Sequence, residues 1–141
     1  MTQILGGTMK FFRPLAFAMT LTPIMVLADT ISDANERFSQ WQPNSIRLDT
    51  GGVLRVILPQ SRITDSIYYA SIQSGFCFGP LLGQNMPEVE SVFILNESET
   101  QGWLFEGGTA ACEHINDAPA SGARTIIAGQ TSTHTNTASG L

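Results

Sequence analysis

The chain has 141 residues, 43% of them hydrophobic and 13% charged, with seven basic and twelve acidic side chains and a formal net charge of −5. That length supports one hydrophobic core and leaves too little apolar surface for a second, and the apolar share excludes a chain disordered throughout.

Residues 1–28 are predicted to be a secretory signal peptide. Lys10 and Arg13 supply a basic start, Leu15 to Val26 is an apolar run, and Val26-Leu27-Ala28 offers permissive residues for cleavage. Met9 directly precedes the basic residues and is the candidate start of translation. A stable membrane anchor is disfavoured, because this run of twelve residues, interrupted at Thr20, Thr22 and Pro23, falls short of the ~20 that a spanning helix needs. No cysteine stands directly after the cleavage point, which argues against a lipid anchor.

Cleavage leaves 113 residues carrying five arginines, no lysine and all twelve acids, a net charge of −7. Five scattered arginines cannot follow a phosphate backbone, so nucleic acid is excluded as a partner. An anionic membrane surface is disfavoured by the same sign of charge, and a charged partner would be a cation or a basic protein. The expected location is periplasmic or extracellular. There Cys77 and Cys112 are expected to be bridged.

The mature chain is punctuated by turn residues. Ile31 to Trp41 places Ala34, Phe38 and Trp41 at helical spacing behind a candidate cap, Ser32, and Pro43 ends the run. Asp49-Thr50-Gly51-Gly52 reads as a turn into a strand, Val53 to Leu58. Thr64 is the expected cap of a second helix reaching about Phe76, with Ile63 and Tyr68 placed as a hydrophobic staple. Ser91 to Leu95 and Gly102 to Glu106 read as a hairpin. Gly107-Gly108-Thr109 leads to a short helix, Ala110 to Ile115, with Thr109 as its cap, and Ala123 to Ala128 is a candidate last strand. From Gly129 to Leu141 no apolar period remains, so a mobile tail is expected. The sum is a single α+β domain over residues 29–128, with two layers, about three strands packed by helices, and one disulfide. A crossover between parallel strands in it would be right-handed.

Catalytic chemistry is sparse. Asp49-Thr50-Gly51 resembles the retroviral-type aspartic proteases in that triplet alone, which implies a dimer in which two such carboxylates activate water. Arg47 and Gly52 depart from that pattern, and Ile126-Ile127-Ala128-Gly129 echoes its later element poorly. A turn also explains the triplet. Gly107-Gly108-Thr109 lacks the lysine of a phosphate loop, His114 beside Glu113 reads as a surface residue, and no zinc spacing is present. No cofactor, metal ligand or catalytic set is therefore expected.

Tyr68, Tyr69, Trp103 and Phe105 are the candidate contact residues. Tyr68 and Tyr69 lie about 100° apart on a helix and cannot both be buried equally. The reading that follows is a small exported binding or assembly module with a protein partner. A dimeric hydrolase acting through Asp49 and a structural envelope protein are the alternatives, and the oligomeric state stays open.

Overall fold

The computed structural model of the protein describes residues 24–135. Most of the expected signal segment thus lies outside the described residues. Ala28 and Asp29, which flank the expected cleavage point, are exposed on the first helix, α1 (Ile24–Arg37). Ser32 therefore sits inside a helix and does not cap one. Ala34 and Phe38 are wholly buried as their spacing requires, and a 3-10 turn, Ser39–Trp41, closes the segment.

Two strands follow, β1 (Ser45–Asp49) and β2 (Val53–Ile57), joined as an antiparallel hairpin in which Asp49 pairs with Val53. The loop between them holds Gly51 at φ 83° and Gly52 at φ 74°. Two successive left-handed residues make this a glycine turn, and a Cβ on Gly52 would run into the carbonyl oxygen of Glu88.

Helix α2 (Asp65–Ala70) starts at Thr64, whose hydroxyl accepts the amide of Ile67 at 3.3 Å, as the capping pattern predicts. The helical run continues through a π turn (Ser71–Gly75) into a 3-10 segment (Phe76–Leu82) and stops at left-handed Gly83. Strands β3 (Ser91–Leu95) and β4 (Gln101–Phe105) form the expected hairpin. Asn96 secures its turn, its side-chain oxygen accepting the amides of Thr100 and Gln101 at 2.8 and 3.0 Å. Helices α3 (Gly108–Asp117) and α4 (Ala120–Gly129) and a last strand, β5 (Thr131–Thr135), complete the described chain.

Among the described residues the sheet has five strands in the order β1-β2-β3-β4-β5, with β2 and β3 parallel and the other pairs antiparallel. The α+β class and the bridge agree with expectation, whereas a three-stranded sheet undercounts by two edge strands. Ala123 to Ala128 is not a strand but part of α4, where Ala123 and Ile127, four residues apart, are both wholly buried. The segment expected to be a tail from Gly129 instead pairs with β4 over Thr131–Thr135.

Register assigns the two faces of the sheet. Leu54, Val92 and Phe105 lie in one row across β2, β3 and β4, and Val56, Ile94 and Trp103 in another, all on one face. The helices pack there: Tyr68 lies 5.2 Å from Trp103 and Phe76 6.3 Å from Phe105, and Phe38 abuts Gly75. Cys77 in the 3-10 segment is bonded to Cys112 in α3, both buried, so the bridge ties two helical segments together over the sheet. The opposite face carries Arg47, Arg55, Phe93 and Leu104 in one cross-strand row.

Candidate functional site

The four aromatic residues singled out from the sequence gather on the helical face. Tyr68 is the hub: its ring meets Tyr69 at 5.4 Å edge-on and Trp103 at 5.2 Å. Tyr68 and Phe105 are 1% and 0% exposed, so their rings have no surface to offer a partner. Tyr69 and Trp103 are half-buried and flank the Tyr68 ring as a ledge, with Trp103 paired to Thr133 of β5. The guanidinium of Arg124, from α4, stacks 4.0 Å from the Tyr69 ring centre and brings a cation to that ledge.

A short hydrogen-bond chain anchors the ledge to the edge strand. The Thr131 hydroxyl donates its one proton to the carbonyl of Ile127 at 2.6 Å, so the Tyr68 phenol must donate to Thr131 Oγ1, also at 2.6 Å. Burial pushes the Tyr68 phenol up to about 12. The Thr131 hydrogen bond opposes that shift, because the hydroxyl can turn to donate to a tyrosinate, while the nearby Tyr69 and Glu106 charges add to it.

The other sequence candidates have structural duties. Asp49 ends β1, and its carboxylate is held by Arg55 Nε at 2.8 Å and lies 3.6 Å from Arg47 Nε. A shallow cleft of about 320 Å³ opens beside it along the Thr50–Gly52 loop and Glu88. Gly108 takes φ 57°, and Thr109 does not cap α3: its hydroxyl donates to the Met86 carbonyl at 2.6 Å and its amide to Val89 at 3.3 Å. Those contacts turn the loop inward, leaving the Thr109 amide committed to the protein. His114 is exposed on the last turn of α3. Among the described residues no group of three or more His, Cys, Asp or Glu is placed to hold a metal ion, and no helix is long and apolar enough to cross a membrane.

Sequence reasoning missed a groove of about 370 Å³ beside the disulfide. One wall is Pro80 and Leu81 of the 3-10 segment; the other is Ala110, Glu113, Asn116 and Asp117 of α3. Asn116 also donates to the Cys77 carbonyl at 2.8 Å and so links that wall to the 3-10 segment. Leu81 and Leu82 are 61% and 57% exposed, and Phe78 is 42% exposed. The available signal was an apolar pair placed directly after Gly79-Pro80, where a helix end should turn polar.

The opposite sheet face carries a second polar array. Arg55 lies 5.0 Å over Phe93, whose other neighbour is His134 at 5.3 Å, while Arg47 pairs with Glu99 at 2.5 Å. Here each arginine already has a carboxylate, so the array neutralises itself. Compared with family models, with curated proteins and with solved structures, the chain matches none.

Proposed function

We propose that the chain is a small exported binding or assembly module, without catalysis of its own, that captures a protein partner through Tyr69 and Trp103. The observation that carries this reading is the ledge itself: two half-buried aromatic rings, backed by buried Tyr68, beside an edge strand. Rigid amphipathic rings of this kind supply contact area at little entropic cost.

The edge supports the same reading. β5 is the last strand of the sheet and reads Thr-Ser-Thr-His-Thr, with no proline, lysine or acid to repel an added strand. A partner segment laid along it would meet backbone groups that point away from β4, with Trp103 in the neighbouring strand and Tyr69 beyond the Tyr68 ring. The stapled helices and the engaged Asp49 carboxylate fit a rigid platform better than a catalytic cleft.

The test is comparative capture from periplasmic extract with immobilised mature protein. Tyr69→Ala should lose a specific partner while keeping its unfolding midpoint, and Asp49→Asn with His114→Ala should retain that partner. Loss of a measurable hydrolytic activity in folded Asp49→Asn would overturn the reading, as would capture indifferent to Tyr69 and Trp103.

A further inference from the structure

We infer that the groove between the 3-10 segment and α3 is a separate docking site, and that its occupant is an arginine-bearing amphipathic segment of a basic partner protein. Glu113 and Asp117 stand four residues apart on one side of α3, and Asp117 is its last residue. Like charges at that spacing repel, and acids at a helix C-terminus oppose the helix dipole. Both carboxylates are exposed, and neither forms an ion pair among the described residues. Two locally unfavourable charges therefore stand uncompensated in a concave site.

The facing wall is apolar and uncovered. Leu81, at 61% exposure, has its neighbour Leu82 nearly as open, and Pro80 completes the surface. A cationic side chain satisfies both walls at once, with its methylene stem on Leu81 and Pro80 and its head on the carboxylates. Arginine fits better than lysine, because its planar fork can bridge two carboxylates one helical turn apart. Flanking apolar residues of the same segment would cover Leu82 and Phe78. A second copy of this chain is a poor occupant, since the mature chain carries −7 and would bring like charge to an acidic groove. The two walls are fixed to each other by Cys77–Cys112, so the groove should keep its width only while the bridge is intact.

The experiment is calorimetric titration of the oxidised mature protein with a short peptide carrying leucines flanked by arginines. A matched peptide with citrulline in place of arginine serves as the neutral probe. The arginine peptide should bind, the citrulline peptide about tenfold more weakly, and the double variant E113Q/D117N and the single variant L81S should each lose about tenfold. Both changes are on exposed side chains, and far-ultraviolet circular dichroism confirms that the fold is kept. Tyr69→Ala should leave this binding unchanged, so the groove and the aromatic ledge can fail independently. No binding, equal binding of the citrulline peptide, or undiminished binding by E113Q/D117N would overturn the inference. So would sedimentation showing a dimer that L81S dissolves, which would assign the groove to a second copy.

Discussion

Removing the disulfide should produce the largest stability loss of any change that leaves the sheet intact. Cys77 and Cys112 are separated by 35 residues. In the chain-entropy account, closing a loop of that length removes unfolded-state freedom equivalent to about 4 kcal/mol at 25 °C. For a domain of this size roughly 4 °C of midpoint accompanies each kcal/mol, so the thermal midpoint should fall by about 15 °C. Both sulfurs are buried, at 0% and 1% exposure, so Cys→Ala is preferable to Cys→Ser, which would bury two hydroxyls. Guanidinium and thermal unfolding should be compared for the oxidised protein, the protein kept reduced, and C77A/C112A. The reduced protein and the variant should unfold at similar midpoints, both well below the oxidised protein, and with a steeper denaturant dependence because their unfolded chain is more expanded. A drop of less than about 3 °C in both would refute the reasoning, since the bridge would then not be restraining the unfolded state.

Four further outcomes are expected. Tyr68→Phe should cost about 1 kcal/mol and speed amide exchange across β5, because Thr131 loses its phenol partner. Since the folded Tyr68 stays neutral up to about 12 while the unfolded side chain ionises from its usual 10, stability should be unaffected below pH 10. It should decline between pH 10 and 12, as monitored by tyrosinate absorbance together with circular dichroism. Asn96→Ala should destabilise by about 2 to 3 kcal/mol in denaturant titration, because the side chain is 3% exposed and its loss leaves the Thr100 and Gln101 amides and the Ser61 carbonyl without their partner. Intact mass of the periplasmic form should place the mature N-terminus at Asp29; retention of Met1 or Met9 in a cytoplasmic fraction would contradict export.

The central elements were legible where a single face is buried. Val53 to Leu58 alternates because Leu54 and Val56 face the helices, and the Thr64 cap and the β3–β4 hairpin follow from local chemistry. Of the edge strands, β1 carries only a short alternating signal beside a turn, and β5 carries none. β1 alternates Ile46 and Leu48, only half-buried, with Arg47 and Asp49, which lie on the outer face. β5 has no apolar residue at all and is held by its ladder with β4, by the Thr131 bonds to Tyr68 and Ile127, and by His134 against Phe93, none of which leaves a hydrophobic period. Ala123 to Ala128 was ambiguous because a short apolar run with two isoleucines suits either period, and packing of Ala123 and Ile127 into the core decided for helix.

The candidate site divides in the same way. That Tyr68 and Tyr69 must differ in burial follows from helical geometry, and the structure assigns the buried place to Tyr68. That Trp103 joins them depends on the β4 register and on where α2 crosses the sheet, which no local pattern encodes. The groove is further still from local signal, because its walls lie on segments that only the tertiary fold and the bridge bring together.

The most direct test of the binding-module account is photo-crosslinking in the living cell, with a photoreactive phenylalanine analogue at position 69 and, separately, at Thr50. Thr50 is exposed at the β1–β2 turn, on the sheet edge opposite β5. Illumination should yield one discrete protein adduct from position 69, recovered in the periplasmic fraction and absent from position 50. Equal adducts at both positions, or none at position 69, would contradict the claim that the Tyr69–Trp103 ledge is the surface that captures a partner.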